Sequence, residues 1–323
     1  MYLTWTKDCG DYKMIYDSVV DLIGNTPLVK IRKLNPNPHV QILAKLEYFN
    51  PSGSIKDRIA KWMIEKAEEM GLLSKDKIII EPTSGNTGIA ISMVGAAKGY
   101  KVIIILPRNV TKERVNIIRS YGADIVFTDT EKDAIFLAKK MAKEHPEKYV
   151  LLNQFENQAN IEAHYKTTAR EIWRDTNGNV DYIVVGIGTA GTIMGIAKFF
   201  KEKKPTTKII GVYPEIDYEV DGCINPRIYQ QPLLKPEFID EFIPVSREEA
   251  LSTMCQLIRK EGIFAGISSG ATIFVALQKA RKIERGTIVA ICADSADRYF
   301  SVLSSLIQER EKTLLVGAKD IRR

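Results

Sequence analysis

The chain has 323 residues, 45 % hydrophobic and 27 % charged, with a formal net charge of +6. That length supplies two domains, or one large one, with a proper core, and no run of roughly 18 apolar residues exists to form a transmembrane helix. Basic tracts such as Lys201-Glu202-Lys203-Lys204 are interrupted by acid, so a nucleic-acid partner is not expected, although a mild positive field favours anionic substrates.

Strands and helices alternate along the chain. Residues 78–80 (Ile-Ile-Ile) predict a short strand and 89–98 a helix; 101–106 predict the next strand, ended by Pro107. A helix is expected over 111–121, a strand over 124–127, a helix over 131–144, a strand over 182–185 and a helix over 193–202. Residues 208–212 and 287–291 complete the set of buried strands. Continuous β-branched runs between helices predict parallel strands covered on both faces, an open α/β sheet. The stretch 214–244 is the one long irregular region, and loops of that length are usually functional. The N-terminal residues lack a basic-then-apolar leader pattern, and Cys9, Cys223, Cys255 and Cys292 show no CxxC spacing. The cysteines read as reduced thiols, with neither a disulfide frame nor a metal site, and the expected location is cytoplasmic.

Three segments carry chemistry. Lys56 lies in Pro51-Ser52-Gly53-Ser54-Ile55-Lys56-Asp57-Arg58. Alone it reads as a surface lysine after a turn; near a helix start among small residues it is unusual, because a buried ammonium is costly unless neutralised or paired. Gly186-Ile187-Gly188-Thr189-Ala190-Gly191-Thr192 follows a strand and opens a helix, where free N–H groups and the positive end of the helix dipole receive a phosphate. Thr189 and Thr192 add hydroxyl donors. A dinucleotide fingerprint is the rival reading, but the strand that follows ends in Pro214-Glu215, a poor match to the acidic residue that motif requires. Thr83-Ser84-Gly85-Asn86-Thr87-Gly88 repeats the strand-to-helix anion geometry; alone it would be only an N-cap. Two anion sites and a lysine predict a ligand with two anionic ends. Pyridoxal 5′-phosphate (PLP), bound as a Schiff base to the lysine, and an amino-acid carboxylate supply them.

These segments resemble the cysteine synthase/cystathionine β-synthase family of fold-type II PLP enzymes, and most closely its O-phosphoserine-accepting branch. The resemblance runs from Asp17-Ser18 to Arg298, through Gly24-Asn25-Thr26-Pro27-Leu28-Val29, Ala44-Lys45-Leu46-Glu47, Asn153-Gln154-Phe155 and Glu261-Gly262-Ile263-Phe264-Ala265-Gly266-Ile267-Ser268-Ser269-Gly270. It implies two open, twisted α/β domains of the tryptophan synthase β-like type with the cofactor in the cleft between them. The smaller, mobile domain is expected over 51–160 and the larger over 12–50 plus 161–318. An N-terminal arm, 1–11, precedes them. By position, Lys56 matches the cofactor-linked catalytic lysine and Asn86 the partner of the cofactor 3′-oxygen. Gly188, Thr189, Ala190, Gly191 and Thr192 match the phosphate cup, with Ala190 where glycine is common, and Ser268 matches the partner of the pyridine nitrogen. Thr83, Ser84, Gly85, Thr87 and Gln154 match the substrate-carboxylate site.

The activity implied is β-replacement, cysteine made from an activated serine and sulfide. A neutral serine at the pyridine nitrogen does not hold it protonated, which limits the electron sink and favours β-elimination. Acetylserine-using members usually carry a glycine-rich segment where this chain has 217–234, with the single glycine Gly222. Arg227 and Tyr229 stand there instead, and Arg227 is expected to pair with a phosphate leaving group, its planar fork matching two oxygens. The nucleophile could instead be an amine, giving a diaminopropionate-type siderophore precursor, or homocysteine, giving cystathionine. Threonine dehydratase or synthase activity is disfavoured by 262–270 and by the lack of a regulatory domain. A different class is a regulatory module binding serine acetyltransferase, against which intact Lys56 argues. The arm residues Tyr2, Leu3, Trp5, Tyr12, Ile15 and Tyr16 are expected to pack across a homodimer.

Overall fold

The computed structural model describes residues 15–215 and 220–305, so the arm 1–11 and Cys9 lie outside them. Ile15 and Tyr16, the arm-flanking residues that are described, are exposed. In chain order the strands are β1 (Leu28–Ile31), β2 (Val40–Leu46), β3 (Ile78–Pro82), β4 (Lys101–Pro107), β5 (Asp124–Thr128), β6 (Tyr149–Leu151), β7 (Tyr182–Gly186), β8 (Lys208–Pro214), β9 (Glu241–Val245) and β10 (Gly286–Cys292). The helices are α1 (Lys56–Glu69), α2 (Asn86–Lys98), α3 (Lys112–Ser120), α4 (Glu131–Glu144), α5 (Gln158–Lys166), α6 (Thr168–Asp175), α7 (Gly191–Lys203), α8 (Arg247–Gln256) and α9 (Ile267–Lys282).

Two sheets form. One runs β1-β2-β10-β7-β8-β9 and the other β5-β4-β3-β6. Every neighbouring pair is parallel except β1 with β2. Alternate residues of the apolar runs divide between two cores. Val184, Ile210, Ile288 and Ala290 join Ile273 and Ala276 of α9 on one face of the large sheet. Ile183, Val185, Ile209, Val289 and Ile291 join Ile193, Ile196 and Phe200 of α7 on the other. The small sheet is covered likewise: Ile79 and Ile104 pack with Ile59, Ile64 and Ile89 of α1 and α2, while Ile105 packs with Ala134 and Ala138 of α4. This is why the strands read as unbroken apolar runs.

The small sheet falls within 51–160, and the large sheet is built from strands before and after it. The expected boundary after 160 lies inside α5, whose Ala159 and Ala163 enter the small sheet's core while Ile161 enters the large sheet's. Residues 214–244 are not irregular to their end: 236–238 form a 3-10 turn, and β9 takes the edge of the large sheet from Glu241. Pro244 masked that strand in the sequence, yet an edge strand tolerates a residue with no N–H to donate. Helix starts are set by local chemistry. Thr130 with Asp133 caps α4 and Ser246 with Glu249 caps α8, each a reciprocal capping box.

Candidate active site

The C-terminal ends of β7 and β10, the starts of α1, α7 and α9, and residues 222–223 enclose a small cavity. Lys56, Gly188, Thr189, Ala190, Thr192 and Ser268 all line it. The segment carrying Lys56 is pinned to the end of β10: the Ile55 N–H donates to the Ala293 carbonyl at 2.8 Å, and Ser54 bridges Asp294. Burial pushes the Lys56 amine below its ordinary range, partly offset by Cys223 and Asp294.

The glycine-rich turn enters α7 through Ala190, which has φ +70° and ψ −5°. That left-handed conformation explains why glycine is the easier residue there. The first N–H groups of a helix have no intrahelical acceptor; of this turn, Gly188, Thr189, Ala190 and Thr192 line the cavity, while Gly191 does not and its N–H lies 3.5 Å from Thr189 Oγ1. A Cβ on Gly188 would come within 2.7 Å of the Gly222 carbonyl oxygen, and one on Gly186 within 2.9 Å of Cys223 Sγ. Residues 222–223 therefore form the opposite wall. Gly191 lies against the Asn160 side chain, where a Cβ would collide.

Residues 83–87 cross from β3 into α2, which begins at Asn86, three residues earlier than the sequence pattern placed it. Asn86 and Thr87 thus stand in its first turn. The Gly85 N–H donates to Thr83 Oγ1 at 3.1 Å, and Thr87 Oγ1 donates to Gln154 Oε1 at 2.6 Å. The buried Glu81 carboxyl group accepts the N–H groups of Asn153 (2.7 Å) and Gln154 (2.9 Å), fixing the turn that presents Gln154.

Asn160, His164 and Asp294, which tie these parts together, were not singled out by the sequence reading, whereas Arg298 and Tyr299 belong to a stretch, 297–299, that resembles the O-phosphoserine-accepting branch. One Asn160 amide donates both to the Gln154 carbonyl (2.8 Å) and to Thr189 Oγ1 (3.0 Å), coupling the 153–155 turn to the glycine-rich turn before α7. His164, one helical turn on, contacts Thr192 Oγ1 through Nε2 (3.1 Å) and Thr168 Oγ1 through Nδ1 (2.9 Å). Burial, with the charges of Arg58 and Lys56, holds His164 well below its usual range, so it is neutral. The i,i+4 spacing that puts Asn160 and His164 on the same face of α5, beside the apolar Ile161 and Ala163, was the available signal. Asn86 is locked on both sides: its amide donates to Asp294 Oδ2 (2.7 Å) and its carbonyl accepts from Arg298 Nη1 (2.8 Å). Tyr299 also donates to Asp294 Oδ2, at 2.6 Å.

Arg227 lies elsewhere. It is exposed, does not line the cavity, and its guanidinium carbon sits 5.8 Å from the Tyr213 ring centre. Asn225 sets that geometry by accepting the Arg227 N–H (2.9 Å) while donating to the Pro214 carbonyl (2.9 Å). Among the described residues there is no cluster of side chains able to hold a metal ion, and no helix is long and apolar enough to cross a membrane.

The donor set fits a phosphorylated aldehyde. An amine of lowered basicity lines one cavity with the helix-start residues Gly188, Thr189, Ala190 and Thr192 and with Ser268. Residues 19–294 match the family described as pyridoxal-phosphate dependent enzymes. The cysteine synthase of Aquifex aeolicus is 39 % identical over 307 residues, 90 % of this chain and 92 % of its own. Crystal structures of a cysteine synthase from Entamoeba histolytica (TM-score 0.86, 37 % identity, 93 % of each chain) and of a hydrogen sulfide-producing enzyme from Fusobacterium nucleatum (TM-score 0.84, 39 % identity, 88 % of this chain and 100 % of that one) share the fold. The chain therefore belongs to the pyridoxal-phosphate dependent enzymes of tryptophan synthase β-like fold, in their cysteine synthase family.

Proposed function

We propose that this chain makes L-cysteine from an activated serine, O-phosphoserine or O-acetylserine, and sulfide by replacement at the β-carbon. The reading is carried by one observation: Lys56, Gly188, Thr189, Ala190, Thr192 and Ser268 line a single cavity. In this reading Lys56 Nζ carries PLP, the N–H groups of 188–192 with the Thr189 and Thr192 hydroxyls hold its phosphate, and Asn86 and Ser268 hold its ring. Bound PLP supplies a conjugated ring that accepts electron density from the substrate α-carbon. Thr83, Ser84, Gly85, Thr87 and Gln154 take the substrate carboxylate and so fix the α-carbon relative to Lys56. Lys56 Nζ removes the α-proton and later returns it. Its depressed basicity keeps more of the amine in the neutral form that can accept a proton near pH 7. In the net reaction the leaving group departs the β-carbon with its bonding pair, and sulfide sulfur takes its place. Closure of 51–160 over the rest of the molecule excludes water during that exchange. Arg227 is a candidate partner for an anionic leaving group.

A matrix of both donors against sulfide, glutamate and homocysteine, with product identification, tests the reading. Cysteine from sulfide, lost in Lys56→Ala with the fold intact by circular dichroism, is expected. Product only from glutamate or homocysteine would move the assignment to a diaminopropionate-type or cystathionine synthase. No product, and no visible cofactor band removable by borohydride, would leave a serine acetyltransferase-binding module. A homodimer and a cytoplasmic location complete the reading, the first checked by light scattering at micromolar concentration and the second by fractionation.

A further inference from the structure

Arg114, on α3, is 8 % exposed and projects from the small-sheet side across the rim of the site. Its Nη1 lies 3.4 Å from the Ser84 carbonyl oxygen, and its guanidinium carbon 4.0 Å from where a Gly85 Cβ would stand. Its Nη2 reaches Asp221 Oδ1 at 3.2 Å, on the large-sheet side, and its guanidinium carbon is 5.5 Å from the Tyr299 ring centre. Asp221 precedes Gly222, which packs close to Ser268; a Cβ on Gly222 would be 3.7 Å from Ser268 Oγ. The guanidinium thus stands between the carboxylate loop and the cavity wall. Its Nε is buried and has no hydrogen-bond partner among the described residues.

A fork with five N–H donors is built to grip a planar or tetrahedral anion through two oxygens. Here it holds one oxygen of a carboxylate at 3.2 Å, and the other Asp221 oxygen lies 3.9 Å from Arg247 Nη1. An incomplete set of contacts on a buried cation is the arrangement expected of a site whose proper partner arrives with the substrate. We propose that Arg114 receives a second anionic group of the reacting amino acids, beyond the α-carboxylate, and that Asp221 is the internal counter-ion this group displaces. The inference rests on the β-replacement reading above. Two sources carry that chemistry, the phosphate of an O-phosphorylated serine and the side-chain carboxylate of an incoming amino acid such as glutamate.

The test uses the PLP-loaded enzyme and three variants, Arg114→Met, Arg114→Lys and Asp221→Asn. With sulfide as nucleophile, the readout is the ratio of kcat/KM for O-phosphoserine to that for O-acetylserine. Arg114→Met is expected to lower the ratio ten- to a hundredfold, mainly through KM. Arg114→Lys, which keeps the charge but loses the fork, should fall between it and wild type. Asp221→Asn should raise the ratio severalfold, because the competing carboxylate is gone, and it leaves Arg114 in place if Arg114→Met fails to fold. Titration of the cofactor absorbance with O-phosphoserine should show the same order of affinities without turnover. If the anion is instead the carboxylate of the incoming amino acid, the donor ratio stays fixed. The glutamate-to-sulfide ratio with O-acetylserine then falls in Arg114→Met and rises in Asp221→Asn. Ratios that stay within twofold in every variant, or losses equal across all substrates, overturn the role of Arg114. A wild-type enzyme that turns over no donor with any nucleophile overturns the β-replacement reading instead.

Discussion

Replacing Arg58 by methionine should destabilise the protein and loosen the start of α1. Arg58 lies two residues beyond Lys56 and is 2 % exposed. It donates five hydrogen bonds, to Glu47 Oε2 (2.7 Å) and Oε1 (2.9 Å), to Glu171 Oε1 (2.6 Å) and Oε2 (2.7 Å), and to Thr26 Oγ1 (3.1 Å). Glu47 follows β2 and Glu171 lies on α6, so one guanidinium fastens the Lys56 helix to two elements of the large-sheet side. Removing one member of a buried ion network costs about 3–5 kcal/mol, because the remaining charges stay buried. The low end applies here. Glu171 keeps Lys45 Nζ at 2.8 Å, whereas Glu47 retains only neutral donors, Thr26 Oγ1 (2.7 Å) and Asn50 Nδ2 (2.9 Å). A loss of about 3 kcal/mol corresponds to a Tm lower by roughly 4–5 °C for a chain of this size. Thermal unfolding at saturating PLP measures it, and PLP release on gel filtration reports the loosened Lys56 helix. Adding Glu47→Gln to Arg58→Met should recover part of the loss, since the stranded charge is then gone. An unchanged Tm in Arg58→Met, or a double variant less stable by the full sum of the two single losses, would refute this account.

Burial opposes the Glu171 charge, but the hydrogen bonds and charge of Arg58, with Lys45, hold its carboxyl well below the usual range. Its contribution is therefore present above the unfolded carboxylate pKa and lost as pH falls through the folded one. Arg58→Met should accordingly flatten the acid limb of a Tm–pH curve, and an equally steep limb would count against the pairing. Glu81 has the opposite sign: burial pushes it up to about 8 against the pull of the Gln154 and Asn153 N–H groups. Stability from this site is full below the unfolded value of about 4.3 and declines as pH rises toward that folded value. Glu81→Gln should remove the decline, and a profile that keeps it would exclude Glu81 as its source. Thr192→Ala should weaken PLP retention more than it lowers kcat, and His164→Leu should weaken it to a lesser degree; equilibrium dialysis distinguishes the two effects. Ala190→Gly should be neutral or stabilising by about 0.5 kcal/mol, relief of the positive φ outweighing the added chain entropy, and a fall in Tm of several degrees would show that the Cβ contributes to packing.

Strands β3, β4, β5, β7, β8 and β10 and the three motifs of the site were legible because each is written in neighbouring residues, whereas β1, β2, β6 and β9 were not. Ile78, Ile79 and Ile80 need only their own hydrophobicity to be buried, and the 186–192 turn needs only glycine, a hydroxyl and the helix start that follows. Tertiary structure decided which polar side chains those motifs lean on. Asn160 joins Gln154 to Thr189, His164 meets Thr192, Asp294 and Arg298 clamp Asn86, and Arg114 reaches Asp221. In the sequence Asn160, His164, Asp294 and Arg114 look like ordinary surface polars, because a lone Asn, His, Asp or Arg carries no periodic signature. Their roles come from contacts between segments far apart in the chain, made where burial removes water and leaves another side chain as the only available partner. The same cause separates Lys56 from Arg227. The segment of Lys56 is hydrogen-bonded to the end of β10 and turned into a cavity, whereas Arg227 is held outward by a turn that Asn225 fixes against β8.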